Sequence, residues 1–366
     1  MQGYKGHIGA REGSVLLFTV LGSMLFLQYP QYLVKVGGPA AWQVALLVTL
    51  FGMLFALPIV ALGRRFPGHG LAEISLEAAG PVIGPLLTLV VAVWLAAVTA
   101  VSLRNFTETF VITILPDTPP SVLVLTGTVL AVFTAYHGAE TVARASYVLL
   151  PLIAAGVLLV LLFSLPRVDT SLLFPFWGYG LDRTVTGALY YASMSAEVIV
   201  LLAMGHAFRD ARSLQHSSLR GILLFGVAAT LTVVVLVGIA GTPLARQDPF
   251  PLYYLARLVY LGRFLQRTEA LIVMFWILAA AVRVSALMYA TAISLTGALR
   301  LPDYRPVLFP LATILTALSL LPKDYVSVLI LDRDWVRPLG FAVLAVPLLL
   351  WVVALIRRKG AAANAS

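Results

Sequence analysis

Residues 189–205 read LYYASMSAEVIVLLAMG. The run is apolar enough to belong to a membrane helix, yet Ser193, Ser195 and Glu197 interrupt its middle. Hydrocarbon offers no partner to a hydroxyl or a carboxylate. Such groups at mid-membrane must face protein, a water-filled cavity or a ligand. The composition agrees with a membrane setting: 60% of residues are hydrophobic, 11% are charged and the mean hydropathy is +0.96. Soluble domains carry about 25% charged residues. A span needs about 20 apolar residues, so the 366-residue chain has room for about ten and leaves no soluble domain over.

Apolar stretches fall at about 13–35, 40–62, 81–113, 119–136, 143–165, 184–206, 217–243, 268–298, 305–321 and 336–356, divided by turns such as GRRFPGHG and LPDYRP. This predicts an all-α integral membrane protein, one polytopic domain over 1–366 with five spans in each half. The segment PLYYLARLVYLGRFL, about residues 251–265, carries Arg257 and Arg263 and suits a helix lying at the interface. The first span has no small-residue cleavage site after it and is expected to be retained. Basic residues slightly favour the side of the two termini, which places the termini in the cytoplasm. The +9 formal charge is spread over nearly every loop without a basic block. It points to anionic membrane lipid and topology rather than nucleic acid. With no cysteine and no paired histidines, the sequence offers no disulfide, thiolate metal site or cofactor motif. Nor does it contain a phosphate-binding loop or a nucleophile elbow, so an enzyme is not expected.

The 189–205 stretch has a companion. The first span, VLLFTVLGSMLFLQYP, has Gly22 and Ser23 at its centre, about half the chain length before Ser193. Small and polar residues at matching places in two halves are expected of inverted repeats, in which a discontinuous helix of each half meets a ligand at the midplane. Freed N–H groups and helix ends there suit a small zwitterion. The alternative is that these small residues permit close helix packing. Two charges also fall within spans, Glu197 and Arg283. Both must face the interior and find partners. They are expected to form either a structural ion pair with each other or a proton- or conformation-sensing element. Arg104 and Glu108, spaced i, i+4 near the end of the third span, read as an interfacial pair.

Several segments together resemble the B subunit of bacterial spore germinant receptors, a branch of the amino acid–polyamine–organocation superfamily of permeases. They are AAWQVALLV, RRFPGHGLAEIS, LRNFTETFVITILPDTPPSVL, GAETVARASYVLLPL and RTEALIVMFWILAAAVRVSALMYA, in this order. The resemblance implies a ten-helix LeuT-type fold with a 5+5 inverted repeat and broken helices 1 and 6. It further implies sensing of a small nutrient, typically an amino acid, within a complex of A, B and C subunits, and residence in the inner membrane of the spore. The implied ligand pocket comprises Gly22 and Ser23, Trp94 and Val98, Ser193, Ser195 and Ala196, and Ser285 with Tyr289. Trp94/Val98 and Ser285/Tyr289 are i, i+4 pairs, so each shares a helix face. The first pair suits an apolar wall and the second a hydroxyl-bearing one. Packing for Trp94 and an interhelical hydrogen bond for Tyr289 are the alternatives. Some related permeases place a lysine of the fifth helix in the cation site, but residues 143–165 contain none. The readings left open are a receptor subunit, an amino-acid secondary transporter, and an ion-conducting or scaffolding subunit.

Overall fold

The apolar stretches form helices, as a backbone in hydrocarbon must if every N–H and C=O is to be satisfied within its own segment. A computed structural model describes residues 7–259 and 268–360. Among the described residues all regular structure is helical, apart from one bridge between Ile8 and Phe208. Ile8 N donates to Ala207 O and Arg209 N to Ile8 O. The N-terminal end is thereby pinned beside the loop that follows the sixth apolar stretch.

Helix α1 (Ala10–Gly22) passes into a 3-10 turn, Ser23–Phe26, and α2 (Tyr29–Gly37) follows. Next come α3 (Ala41–Arg65), the short α4 (Leu71–Ala79), α5 (Ile83–Thr113), α6 (Pro120–Tyr136) and α7 (Ala139–Ser164). The second half runs α8 (Leu181–Ala192), a 3-10 segment Ser193–Val198, α9 (Ile199–Ala203) and α10 (Ala211–Ala245). After the short α11 (Pro251–Leu258) come α12 (Thr268–Ala298) and α13 (Arg305–Leu320). The last rod is α14 (Tyr325–Ile330), a π turn Leu331–Val336 and α15 (Gly340–Ile356).

Among the described residues, seven stretches are long and apolar enough to cross a membrane: 29–65, 83–113, 139–167, 181–203, 211–245, 272–298 and 325–356. Two shorter apolar helices, α6 and α13, stand beside them. At about 1.5 Å per residue, the 31 residues of α5 extend about 46 Å, well beyond the ~30 Å hydrocarbon thickness. On α3, Leu46, Leu50, Leu54 and Leu57 are exposed, as are Val122, Leu125, Val129 and Phe133 on α6. These i, i+3/i+4 stripes are the faces turned to lipid. Helices α1, α3, α5, α10 and α12 pack on one another and form the middle of the bundle.

Four expectations are refined. The last rod begins at Tyr325, eleven residues ahead of the expected 336, because the charged run DRDWVR stays helical by being buried on one side. The departure from helix in the first rod comes at Leu27 (φ −102°, ψ −157°) rather than at Gly22. Arg104 and Glu108 pair at 2.6 Å, but both are buried, and Arg104 Nη1 also reaches Ser319 O. The pair is therefore covered by neighbouring helices rather than turned outward. Of the expected interfacial helix, Pro251–Leu258 is helical, while residues 260–267 lie outside the described residues.

Candidate functional site

Ser23 and Ser193 each open a 3-10 turn directly after an α-helix ends. Each hydroxyl donates to the carbonyl three residues back, Ser23 to Val20 O at 2.9 Å and Ser193 to Tyr190 O at 2.8 Å. A serine that returns its hydroxyl to the preceding turn competes with the α pattern, and 3-10 winding is the local result. Beyond Ser193 the chain stays wound through Val198. The sixth rod is therefore tightened there and not unwound.

Two glycines let neighbours approach this segment. A Cβ on Gly52 would lie 2.5 Å from Ser195 Oγ, and one on Gly340 would lie 2.6 Å from Ser193 O and 3.2 Å from the Ala196 methyl. Ser195 thus faces α3, while Ser193 and Ala196 face α15. Gly22 is different. Its φ of −64° is ordinary helix, and its nearest foreign atoms, on the Phe18 ring, would be 3.8 Å from a Cβ. Neither an unusual dihedral nor close approach requires glycine at position 22, which corrects the reason for expecting one there.

Glu197 anchors the centre of the bundle. It is fully buried, and its Oε1 accepts from Arg283 Nη2 at 2.5 Å and from Arg337 Nη1 at 2.6 Å. Arg337 Nε donates to Asp332 Oδ1 at 2.8 Å across the π turn. Arg283 reaches further, with Nη1 donating to Val20 O at 2.5 Å and Nε to Ser102 Oγ at 3.2 Å. Five rods are tied at one point: the end of α1, the α8–α9 segment, α5, α12 and the last rod. Two carboxylates and two guanidiniums balance, which is how buried charge is tolerated. Among the described residues, Glu197 Oε2 has no hydrogen-bond partner.

The remaining candidates fall on either side of this cluster. Trp94 Nε1 donates to Val336 O at 2.8 Å, next to Arg337. Trp94, Val98 and Ser102 lie at i, i+4, i+8 on α5, so this face abuts the ionic cluster. Ser285 turns its hydroxyl to Ala281 O at 2.7 Å on its own helix. Tyr289 OH bonds His206 Nε2 at 3.2 Å, and its ring meets Tyr304 edge-on at 5.1 Å. All nine candidates are buried. The ionic cluster and its surroundings gather Ser23, Trp94, Val98, Ser193 and Ala196, whereas Tyr289 sits toward the end of the bundle that holds Ile8 and Lys359.

At that end a cavity of about 980 Å³ opens between α4, the end of α9 and the end of α12. Its wall includes His69, Glu73, His206, Ser294, Arg300 and Tyr304. Buried hydroxyls of Ser294 and Thr296 have no partner among the described residues. Burial pushes the His206 pKa below the ordinary histidine value, against the pull of the Glu73 carboxylate and a backbone bond to Ala203. The opposite end is filled with rings. Tyr32 stacks on Tyr191 at 5.7 Å, Tyr29 meets Phe225 at 5.2 Å, and Phe26, Phe106 and Phe110 surround Trp276. Gln28 also bonds Tyr325 across this layer. Rings thus pack between the helices there, and a second cavity of about 590 Å³ opens nearby beside Lys35, Tyr179 and Arg246.

Residues 7–327 match the family described as spore germination protein, the spore permeases. The chain belongs to that family. Spore germination protein XB of Bacillus anthracis is 24% identical over 254 residues, covering 69% of this chain and 70% of the relative. Spore germination protein KB of Bacillus subtilis (strain 168) is 21% identical over 364 residues, 97% of this chain and 96% of the relative. Among solved structures, MhsT in complex with L-phenylalanine superposes with a TM-score of 0.66 at 14% identity, covering 93% of this chain and 94% of MhsT. The fold is thus that of the LeuT-type transporters, and this spore permease is a multi-pass, non-enzymatic membrane protein.

The sequence did not single out four residues that complete the site. Asp332 and Arg337 were hidden because four charges between 332 and 337 read as a loop. Their separation of five, the spacing of a π turn, was the available signal. Ser102 continues the Trp94/Val98 face by one more turn and could have been reached by extending the same i, i+4 series. His206 lay at the very end of an expected span and carried no such signal.

Proposed function

We propose that the protein is the membrane-embedded sensor subunit of a spore germinant receptor. In this reading it has ten spans in two inverted halves and binds a small nutrient, an amino acid, at mid-membrane between the first and sixth rods. Binding shifts a conformational equilibrium that A and C subunits read in the inner spore membrane. The observation that carries the reading is the junction at Glu197. It joins the ends of both interrupted helices to α5, α12 and the last rod, so a ligand that alters one interruption acts on all of them. The placement of α4 between α3 and α5, and of α11 between α10 and α12, supports the two-halves arrangement. A ligand drives such a change only through different affinities for the two states. Gly22 offers space without strain and marks where the ligand fits against α1.

The test is thermal-shift screening of the detergent-solubilised protein against the twenty amino acids, followed by the Gly22→Val variant. One or a few amino acids should raise the melting temperature saturably, and Gly22→Val should weaken that binding at least about tenfold, which is ~1.4 kcal/mol, while still purifying as a folded protein. Absence of any saturable amino-acid response sinks the reading in favour of an ion-conducting or scaffolding subunit. A second reading, an amino-acid transporter, is favoured by the ring-packed layer around Tyr32, Tyr191 and Trp276 lying opposite the large cavity beside His206. Gradient-driven accumulation of the bound amino acid in liposomes holding the single chain would establish it.

A further inference from the structure

The Arg283 guanidinium is held by three oxygens from three different rods. Val20 O belongs to the last turn of α1, Ser102 Oγ to α5 and Glu197 Oε1 to the tightened segment of the sixth rod. A backbone carbonyl at a helix C-terminal end, a hydroxyl and a carboxylate are the donors that bind a small hard cation. Helix C-terminal ends and freed carbonyls at mid-membrane are where transporters hold coupling ions. The negative end of the α1 dipole adds to the attraction for positive charge. Here the positive charge is covalently part of the chain, and Arg283 is only 1% exposed.

The local charge count makes the point sharper. Glu197 and Asp332 oppose Arg283 and Arg337, so the cluster is neutral with Arg283 in place. Without the Arg283 side chain the remaining three carry one net negative charge, buried, with three oxygens facing the space the guanidinium left. A dehydrated site of that charge and donor type recruits a monovalent cation from solution.

We propose that Arg283 is a resident counter-cation that fills an oxygen-lined cation site between α1, α5, the α8–α9 segment and α12, so that the protein's stability and its ligand binding need no sodium or other soluble coupling ion. Only the statement about ligand binding rests on the sensor reading above. The statement about stability stands on the unliganded protein.

The experiment compares melting temperatures of the unliganded, detergent-solubilised full chain in sodium, potassium and choline chloride at equal ionic strength. The parent should melt at the same temperature in all three. Arg283→Ala should melt lower in choline and recover saturably with added sodium, by a shift on the order of 2 °C or more. Adding Glu197→Gln to Arg283→Ala should remove that recovery. Arg283→Lys keeps a resident charge and should ignore the choice of cation. The proposal is overturned by a saturable sodium-specific stabilisation of the parent, by sodium sensitivity of Arg283→Lys, or by a folded Arg283→Ala that responds to no cation. If Arg283→Ala does not fold, the parent and Arg283→Lys titrations decide alone. A bound amino acid should show equal Kd in sodium and choline. If no amino acid binds, the sensor reading fails while the three salt titrations still judge the resident cation.

Discussion

Ser23 and Ser193 occupy the same step in their respective rods, each closing the last α turn with its hydroxyl, but the chain beyond them diverges. After Ser23 the backbone leaves helix at Leu27, runs on into Tyr29 and Tyr32, and contributes no charge. After Ser193 it stays wound and delivers Glu197 to the centre. One interruption supplies a helix end and aromatic packing, the other a charge. Arg283 joins them by bonding Val20 O on one side and Glu197 on the other. The lesson is that two halves built alike need not have equal interruptions. A bridging side chain turns their difference into a single joint.

The largest effect is expected where that joint is cut from the charged side. Glu197→Ala leaves two buried guanidiniums with only Asp332 between them. It should cost about 3–5 kcal/mol, the range for breaking a buried pair, and be seen as a large loss of melting temperature or of monodisperse protein. A variant as stable as the parent would show that the two interruptions are not coupled through Glu197. Next comes packing behind the sixth rod. Gly340→Val places a side chain against Ser193 O, where no flexible group can yield, and should cost about 1–3 kcal/mol. Gly22→Ala in the first rod should by contrast be neutral or stabilising by up to ~1 kcal/mol. Equal losses for the two would erase the contrast between a tight and an open interruption.

A smaller effect should follow pH. His206, just past the end of α9, has its pKa lowered by burial, so the folded state holds it neutral while the unfolded chain takes up a proton first. Stability is therefore full above the ordinary histidine value of 6.5 and falls as pH drops below it, levelling off under the lowered folded pKa. Melting temperatures of the parent and His206→Gln between neutral and mildly acidic pH should diverge in that window, the variant losing less. The smallest effect belongs to the serines. Ser193→Ala should cost about 0.5–1 kcal/mol, and Ser23→Ala less, because Val20 O keeps its bond from Arg283. The reverse order in chemical or thermal unfolding would mean that Arg283 does not support the first interruption.

Much of this arrangement was legible in the residues. Long apolar runs forced helices, Ser23 and Ser193 marked where the α pattern gives way, and two charges in apolar runs had to find partners inside. Other features were masked by chemistry that a linear reading cannot weigh. Leu27, where the first rod leaves helix, is as apolar as its neighbours, and no residue type there marks the change of backbone. DRDWVR reads as solvated because nothing in the sequence shows that Asp332 and Arg337 turn to one side of a π turn toward Glu197. Trp94 reads as an apolar wall, and nothing in the sequence shows that its indole N–H, which needs a buried acceptor, donates to Val336 O in the last rod. Tyr289 carried no hint of His206, since the two are brought together only by the packing of α12 on α9.

The neutrality of the central cluster has an electrical meaning. A membrane voltage does work of about 2.3 kcal/mol per elementary charge per 100 mV on any charge that travels through the field. Glu197, Arg283, Arg337 and Asp332 sum to zero and are bonded to one another. Moving as a unit, these four groups together carry no net gating charge. The joint itself therefore adds no voltage dependence to a rearrangement of the rods around it.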